Sequence, residues 1–321
     1  AQKNILSCIY EGIMVPIDAG LRIETRYFIN TQQRPEAKAM IRSLFLSTQA
    51  LSKGANRPAG YPKYALNKVA VIGAGLMGAG IAYEQARAGI ETILVDVSVE
   101  NAEKGKDYSR KLVEKNVSRG KMTQEKGDAL LALIKPTANY DDFKGADLVV
   151  EAVFENPELK AQITKLAEAQ LSDTAVMGSN TSTLPITGLA EASVRPANFI
   201  GIHFFSPVER MGLVEIISGK ETSEETLAKT IDYVLAIRKT PIVVNDSRGF
   251  YTSRCFGTYV QEGAELVAEG INPALIENAG KQLGMPVGPL AVSDEVSIEL
   301  GYKVMTAAKK ELGDAYVVRR S

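Results

Sequence analysis

The chain has 321 residues, a formal net charge of −1, and a composition that is 45% hydrophobic and 23% charged. That length allows two domains and a large core, and the near-zero charge gives no reason to invoke nucleic acid or an anionic membrane. Two cysteines, Cys8 and Cys255, and one histidine exclude a disulfide framework and argue against a metal site. No metal is expected, and a reducing compartment is the default.

The chain opens at Ala1 in an amphipathic helical pattern carried by Leu6, Ile9, Tyr10, Ile13 and Met14. Glu11 interrupts the apolar stretch and Lys3 is its single basic flank, so it does not read as a signal peptide. No apolar run approaches the roughly 18 residues of a membrane span. A second helical pattern, Ala37–Ala50, puts Met40, Ile41, Leu44 and Phe45 on one face. Ser52–Lys63, rich in Gly, Pro and small polar residues, reads as a linker. Residues 1–66 therefore form a helical leader too short to bury much core alone.

At Val69–Ile72 a short apolar, β-branched run predicts a buried strand. It breaks at Gly73-Ala-Gly75-Leu76-Met77-Gly78, which fits G-x-G-x-x-G: a tight turn, room for backbone to touch a pyrophosphate, and close helix–sheet packing. The following helix stops at Gly89, a second strand covers Thr92–Val95, and it ends on Asp96. There a carboxylate can grip a ribose 2′-hydroxyl. Strand, glycines, helix, strand and terminal acid in this order predict a dinucleotide site. Asp96 would repel a 2′-phosphate and no arginine follows it directly, so NAD is favoured over NADP.

A long polar helix, about Ser98 to Arg119, comes next, then a second helix with Thr123 as N-cap. Lys104, Lys111 and Lys115 share one stripe, with Lys106, Arg110, Arg119 and Lys121 nearby. The stripe reads either as a solvated face or as a landing surface for a phosphorylated substrate. Further strands are predicted at Asp147–Val153, Ala175–Asn180, Asn198–His203, Leu213–Ile217 and Pro241–Val244, with a helix at Glu158–Leu171. This alternation predicts an α/β Rossmann-type, doubly wound, mainly parallel sheet over residues 67–246. From 247 to 321 the periodicity turns helical, at Phe250–Glu269, Pro273–Leu283 and Asp294–Leu312, giving a second, all-α domain.

Ligands of open α/β sheets bind outside the carboxyl ends of the strands. Asn180 and Ser182 follow one such strand, and His203, the only histidine, ends another. Glu215 interrupts the apolar run Leu-Val-Glu-Ile-Ile, and a carboxylate there is costly to bury unless paired. The alternatives are an exposed edge-strand residue and a partner for His203 that would orient its ring, as in catalytic triads. A paired imidazole suits proton abstraction from an alcohol that loses hydride to a nicotinamide.

Together these motifs resemble the L-3-hydroxyacyl-CoA dehydrogenase family of fatty-acid β-oxidation. They are VIGAGLMGAGIA, LVVEAVFENPELK, GSNTSTLPI, GIHFFSPVERMGLVEII, RGFYTSR and GMPVGPLAVSDEV, spread over about Lys68 to Ser297. The resemblance implies NAD-dependent oxidation of an L-3-hydroxyacyl-CoA to the 3-ketoacyl-CoA. It implies His203 as general base, Glu215 as its partner and Ser182 as the hydrogen-bonding group for the 3-oxygen. Asn180, Glu155 and Lys160 would lie around the cofactor, and acyl-CoA against the helical hairpin that follows the second strand. The chain departs from many members at Ser206 and Ser253, substrate-side positions where those members carry asparagine. Ser206 matches the multifunctional branch, and at Ser253 the shorter side chain replaces an amide that can contact substrate.

By the same resemblance, residues 1–66 look like the closing helices and linker of an enoyl-CoA hydratase half of the same polypeptide, and the chain like a fragment of it. A homodimer or a thiolase-type partner subunit would complete such an assembly. Two other readings compete with this one: a dehydrogenase of a small non-CoA hydroxy acid, and a non-catalytic dehydrogenase-like assembly domain.

Overall fold

The computed structural model describes residues 1–296 and, beyond them, 298, 299, 301, 302, 305, 306, 309 and 313. The chain packs as two units: Ala1–Thr181 with Ile186–Val243, and Ser182–Pro185 with the chain from Val244 onward.

In the leader, α1 (Gln2–Gly12) and α2 (Ile17–Gln32) form a hairpin. The Asn4 amide donates to Thr31 Oγ1 at 2.8 Å, and Arg26 pairs with Glu11 at 2.7 Å. Near the turn the helices meet at Gly12 and Gly20, where a Cβ on Gly20 would stand 3.4 Å from the Gly12 carbonyl. The amphipathic stripe read from the sequence is not covered: Leu6 is 68% exposed, Tyr10 78% and Met14 79%. The second helical pattern is broken in three, as α3 (Pro35–Met40), a π-helical stretch at Ile41–Ser47 and α4 (Thr48–Ser52).

The expected linker is not a free spacer. Arg57 forks onto Asp232 at 2.8 and 2.9 Å and donates its other N–H groups to the Pro58, Tyr61 and Pro62 carbonyls. Asp232 also accepts the Tyr64 N–H, at 2.8 Å. A bidentate, largely buried guanidinium with its donors satisfied fixes geometry as well as charge.

The first unit is built on β1 (Lys68–Ile72), α5 (Leu76–Arg87), β2 (Glu91–Val95), α6 (Val99–Ser118), α7 (Gln124–Leu133), β3 (Ile134–Thr137), β4 (Leu148–Glu151) and α8 (Pro157–Glu168). It continues with β5 (Val176–Ser179), α9 (Ile186–Ala190), β6 (Phe199–Phe204), β7 (Leu213–Ile217), α10 (Glu224–Ala236) and β8 (Thr240–Val244). The strands make one sheet in the order β3-β2-β1-β4-β5-β6-β7-β8. Pairs from β3 to β6 are parallel, and β6–β7 is antiparallel. Val69, Val71, Leu148, Val150, Val176, Ile200 and Ile202 have no exposed surface. Burying each is worth about 1.5–3 kcal/mol, which is why these runs are apolar without alternation.

Strand β3 and helix α10 were not apparent from periodicity. Pro136 sits inside β3, which a proline tolerates because β3 is an edge strand. The Thr123 cap forms as expected, accepting the Lys126 N–H, and Ser98 caps α6 by accepting the Asn101 N–H.

The second unit contains α11 (Thr252–Ala268), α12 (Pro273–Gln282) and α13 (Pro289–Val296). Glu277 Oε1 accepts the Leu290 and Ala291 N–H groups at 2.8 and 3.1 Å and so caps α13. The third expected helix, Asp294–Leu312, thus opens earlier, at Pro289. Its stretch beyond Val296, like the closing AYVVRRS, lies largely outside the described residues.

Candidate active site

Strand order reverses between β1 and β4, and the glycine-rich loop emerges at that switch point. Gly73 has φ +95°, and a Cβ on it would lie 2.7 Å from the Ala152 carbonyl at the end of β4. A Cβ on Gly78 would run into the Gly73 carbonyl oxygen. Around Gly75 a Cβ would meet nothing within 4 Å, so the loop is open on the side that a ligand approaches. Gly75 is also the N-cap of α5 and supplies no side-chain cap. The N–H groups of Leu76, Met77 and Gly78 in the first turn therefore have no partner within the helix or from a capping side chain, and the helix dipole lies behind them. This arrangement fits a dinucleotide pyrophosphate.

Asp96 stands at the end of β2 as the sequence requires. Its Oδ2 accepts the Ala74 N–H at 2.7 Å, and Oδ1 accepts the Val97 N–H at 2.8 Å and the Asn101 amide at 3.3 Å. The carboxylate is anchored to the glycine-rich loop, and its four lone-pair sites leave capacity for ribose hydroxyls.

At the end of β4, one group was missed from sequence. Glu151 is 1% exposed and gathers Lys160 Nζ at 2.8 and 3.0 Å, the Ser179 hydroxyl at 2.7 Å and the Val153 N–H at 2.7 Å. Lys160 is 2% exposed and lies 3.5 Å from Glu155, which accepts a hydrogen bond from Thr181 at 3.1 Å. Lys160 is thus an internal brace between β4 and the loop that bears Glu155. The signal that could have found Glu151 is the one that found Glu215, a carboxylate closing an apolar strand.

The second cluster lies on β6 and β7. The antiparallel register pairs His203 directly with Glu215, and His203 Nδ1 is 2.7 Å from Glu215 Oε2. Glu215 is fully buried and His203 is 6% exposed. A carboxylate at Nδ1 accepts the N–H of that nitrogen, which keeps the proton there and leaves Nε2 as the basic one. Phe205 packs against the imidazole with ring centroids 4.5 Å apart. Asn180 Oδ1 accepts the Phe204 N–H at 2.8 Å, which ties the end of β5 to the residue after His203.

The remaining expected residues fall in different places. Ser206 is exposed and precedes Pro207 in a cis peptide bond. Ser182 and Ser253 belong to the second unit, Ser182 in its short Ser182–Pro185 segment and Ser253 in the first turn of α11. On α6, Lys104, Lys111 and Lys115 are exposed, and Lys104 is held by Glu100 at 2.7 Å. Among the described residues no group of His, Cys, Asp and Glu could hold a metal ion, and no helix is long and apolar enough to cross a membrane.

The 3-hydroxyacyl-CoA dehydrogenase NAD binding domain matches residues 68–247, and the C-terminal domain of the same family matches 249–320. The fatty acid oxidation complex subunit alpha of Shewanella baltica is 39% identical over 317 residues, covering 98% of this chain and 45% of its own length. That of Shewanella loihica is 40% identical with the same coverage. The chain thus spans about half the length of the curated relatives it matches. Among solved structures, the (S)-3-hydroxybutyryl-CoA dehydrogenase of Ralstonia eutropha aligns with TM-score 0.74 and 34% identity, over 78% of this chain and 89% of its own. The 3-hydroxybutyryl-CoA dehydrogenase of Escherichia coli aligns with TM-score 0.74 and 30% identity, over 77% of this chain and 53% of its own. With an NAD-binding first domain and both family domains in order, the chain belongs to the 3-hydroxyacyl-CoA dehydrogenase family.

Proposed function

We propose that the chain oxidises an L-3-hydroxyacyl-CoA to the 3-ketoacyl-CoA, with His203 as the acid–base group. The observation that carries this reading is the buried His203–Glu215 pair, 2.7 Å apart, in the same unit as the dinucleotide loop. Bound NAD supplies the hydride acceptor. His203 Nε2 takes the proton of the 3-hydroxyl as hydride leaves C3, and returns it in the reverse direction. Glu215 holds the Nδ1 proton and stabilises the imidazolium.

Asp96 binds the ribose hydroxyls, the glycine-rich loop takes the pyrophosphate, and Asn180, Glu155 and Lys160 shape the cofactor side. The family resemblance assigns Ser182 to the substrate's 3-oxygen, Ser206 and Ser253 to the substrate side, and the α6 lysines to the phosphates of CoA. By the same reading the leader continues an enoyl-CoA hydratase half. A second subunit, thiolase-type or another copy of this chain, completes an assembly for β-oxidation, in the cytoplasm or an organelle matrix where Cys8 and Cys255 stay reduced.

The test is NADH consumption with acetoacetyl-CoA beside free acetoacetate. Turnover of the thioester alone supports the reading. Turnover of free acetoacetate points to a small-acid dehydrogenase, and turnover of neither to an assembly domain.

A further inference from the structure

The loop between β6 and β7, residues 205–212, governs how His203 meets Glu215, because a one-residue slip would turn either side chain to the other face. Lys239, from the turn between α10 and β8, reaches into that loop. It is 6% exposed, and its ammonium donates to the Val208 carbonyl at 2.7 Å and the Met211 carbonyl at 2.8 Å. Its third neighbour is Glu84 Oε2 at 3.4 Å, on α5, the helix that follows the glycine-rich loop. Glu84 is fully buried; Arg87 pairs with the same Oε2 at 2.6 Å, while Oε1 has no hydrogen-bond partner. The same loop packs directly on α5, since a Cβ on Gly80 would stand 2.8 Å from Val208.

The backbone is bent to deliver this lysine. Arg238 is exposed and has φ +60°, a left-handed conformation that non-glycine residues rarely adopt. It ends α10 so that the Lys239 N–H donates to the Val234 carbonyl at 3.0 Å and the side chain turns inward. Burial pushes the Lys239 ammonium down and the Glu84 carboxyl up, each opposed by the other's charge. A buried ion pair is poor support for stability, and an apolar side chain of similar volume commonly serves a core as well or better. What a methionine could not do is bind two carbonyls of one loop.

We propose that Lys239 is a positioning residue for the His203–Glu215 pair, tying the 205–212 loop to α5 and thereby fixing the register and ring orientation of the pair. Its effect on turnover rests on the acid–base role given to His203; its effect on the imidazole does not.

Because His203 is the only histidine, its ring nitrogens give a single set of signals in heteronuclear magnetic resonance. Lys239→Met alone leaves the buried Glu84 with Arg87 as its one charge partner and can simply destabilise, so the decisive protein is Glu84→Gln/Lys239→Met, with both charges removed. We expect this double variant to fold and to bind NADH as wild type does, yet to show a mixture of imidazole tautomers in place of the single Nδ1–H form. Its kcat with acetoacetyl-CoA should fall about tenfold or more with KM little changed, the scale of a small misplacement of a catalytic group. Glu84→Gln alone keeps both carbonyl contacts and should keep the wild-type tautomer. An unchanged imidazole signature in the folded double variant overturns the proposal. So does a double variant that cannot fold, since the tether would then serve the core and not the pair. A changed signature in a protein whose wild type turns over neither substrate supports the tether and contradicts the dehydrogenase reading instead.

Discussion

His203 and Glu215 occupy directly paired positions on antiparallel strands, with Nδ1 2.7 Å from Oε2 and the glutamate wholly buried. The turn from parallel β6 to antiparallel β7 is what brings them together, since residues 12 apart on a parallel path could not face one another. Glu215→Gln preserves the shape but removes the charge and lets the imidazole take the other tautomer. Its kcat should fall about 10²-fold or more, as when the orienting acid of a triad becomes an amide. Steady-state rates with acetoacetyl-CoA check this, and a near-normal kcat would mean that Glu215 does not orient the ring.

Asp96 is anchored by the Ala74 and Val97 N–H groups, so it cannot swing away from an incoming 2′-phosphate. NADH should bind at least about tenfold tighter than NADPH, or about 1.4 kcal/mol. Fluorescence titration measures both constants, and equal values would remove Asp96 from the ribose site.

Lys160 and Glu151 are both buried and share two contacts at 2.8 and 3.0 Å. Removing one partner leaves the other charge in the core, so Lys160→Met should cost about 3–5 kcal/mol of stability. Adding Glu151→Gln should recover most of that loss in urea unfolding. A Lys160→Met protein as stable as wild type would show the brace to be dispensable.

What the sequence revealed was what is local. The glycine spacing, the terminal acid at Asp96 and the odd carboxylate in an apolar strand at Glu215 each state their chemistry within a few residues. Strand β3 was hidden by Pro136, whose meaning depends on lying at an edge, a property of the assembled sheet. Lys239 and Glu84 lie far apart in the chain, and neither residue's neighbours hint at an ion pair that only the packing of α5 against the 205–212 loop creates. Arg57 lies in the stretch that reads as a linker, and nothing local marks its partner, Asp232, 175 residues away in α10.

The 205–212 loop is also held from α6, where the Tyr108 hydroxyl donates to Glu209 at 2.8 Å. Burial, and then Glu209 itself, raise the Tyr108 phenol to about 12. A group raised in the folded state stabilises fully below its unfolded value of 10.0 and loses that contribution as pH climbs through the folded value. The stability advantage of wild type over Tyr108→Phe should therefore be constant up to about pH 10 and shrink toward pH 12. Urea unfolding of both proteins across that range gives the difference, and a gap that widens with pH would refute the bond to Glu209.

The most direct measurement is the rate of NADH oxidation by acetoacetyl-CoA in wild type and His203→Gln, with the NADH dissociation constant determined for both. If His203 moves the proton, the variant should lose about 10²–10⁴ in kcat, the contribution of a positioned acid–base group, while NADH binding stays nearly unchanged. A His203→Gln protein that turns over at close to the wild-type rate would place the proton transfer on another residue and contradict the account.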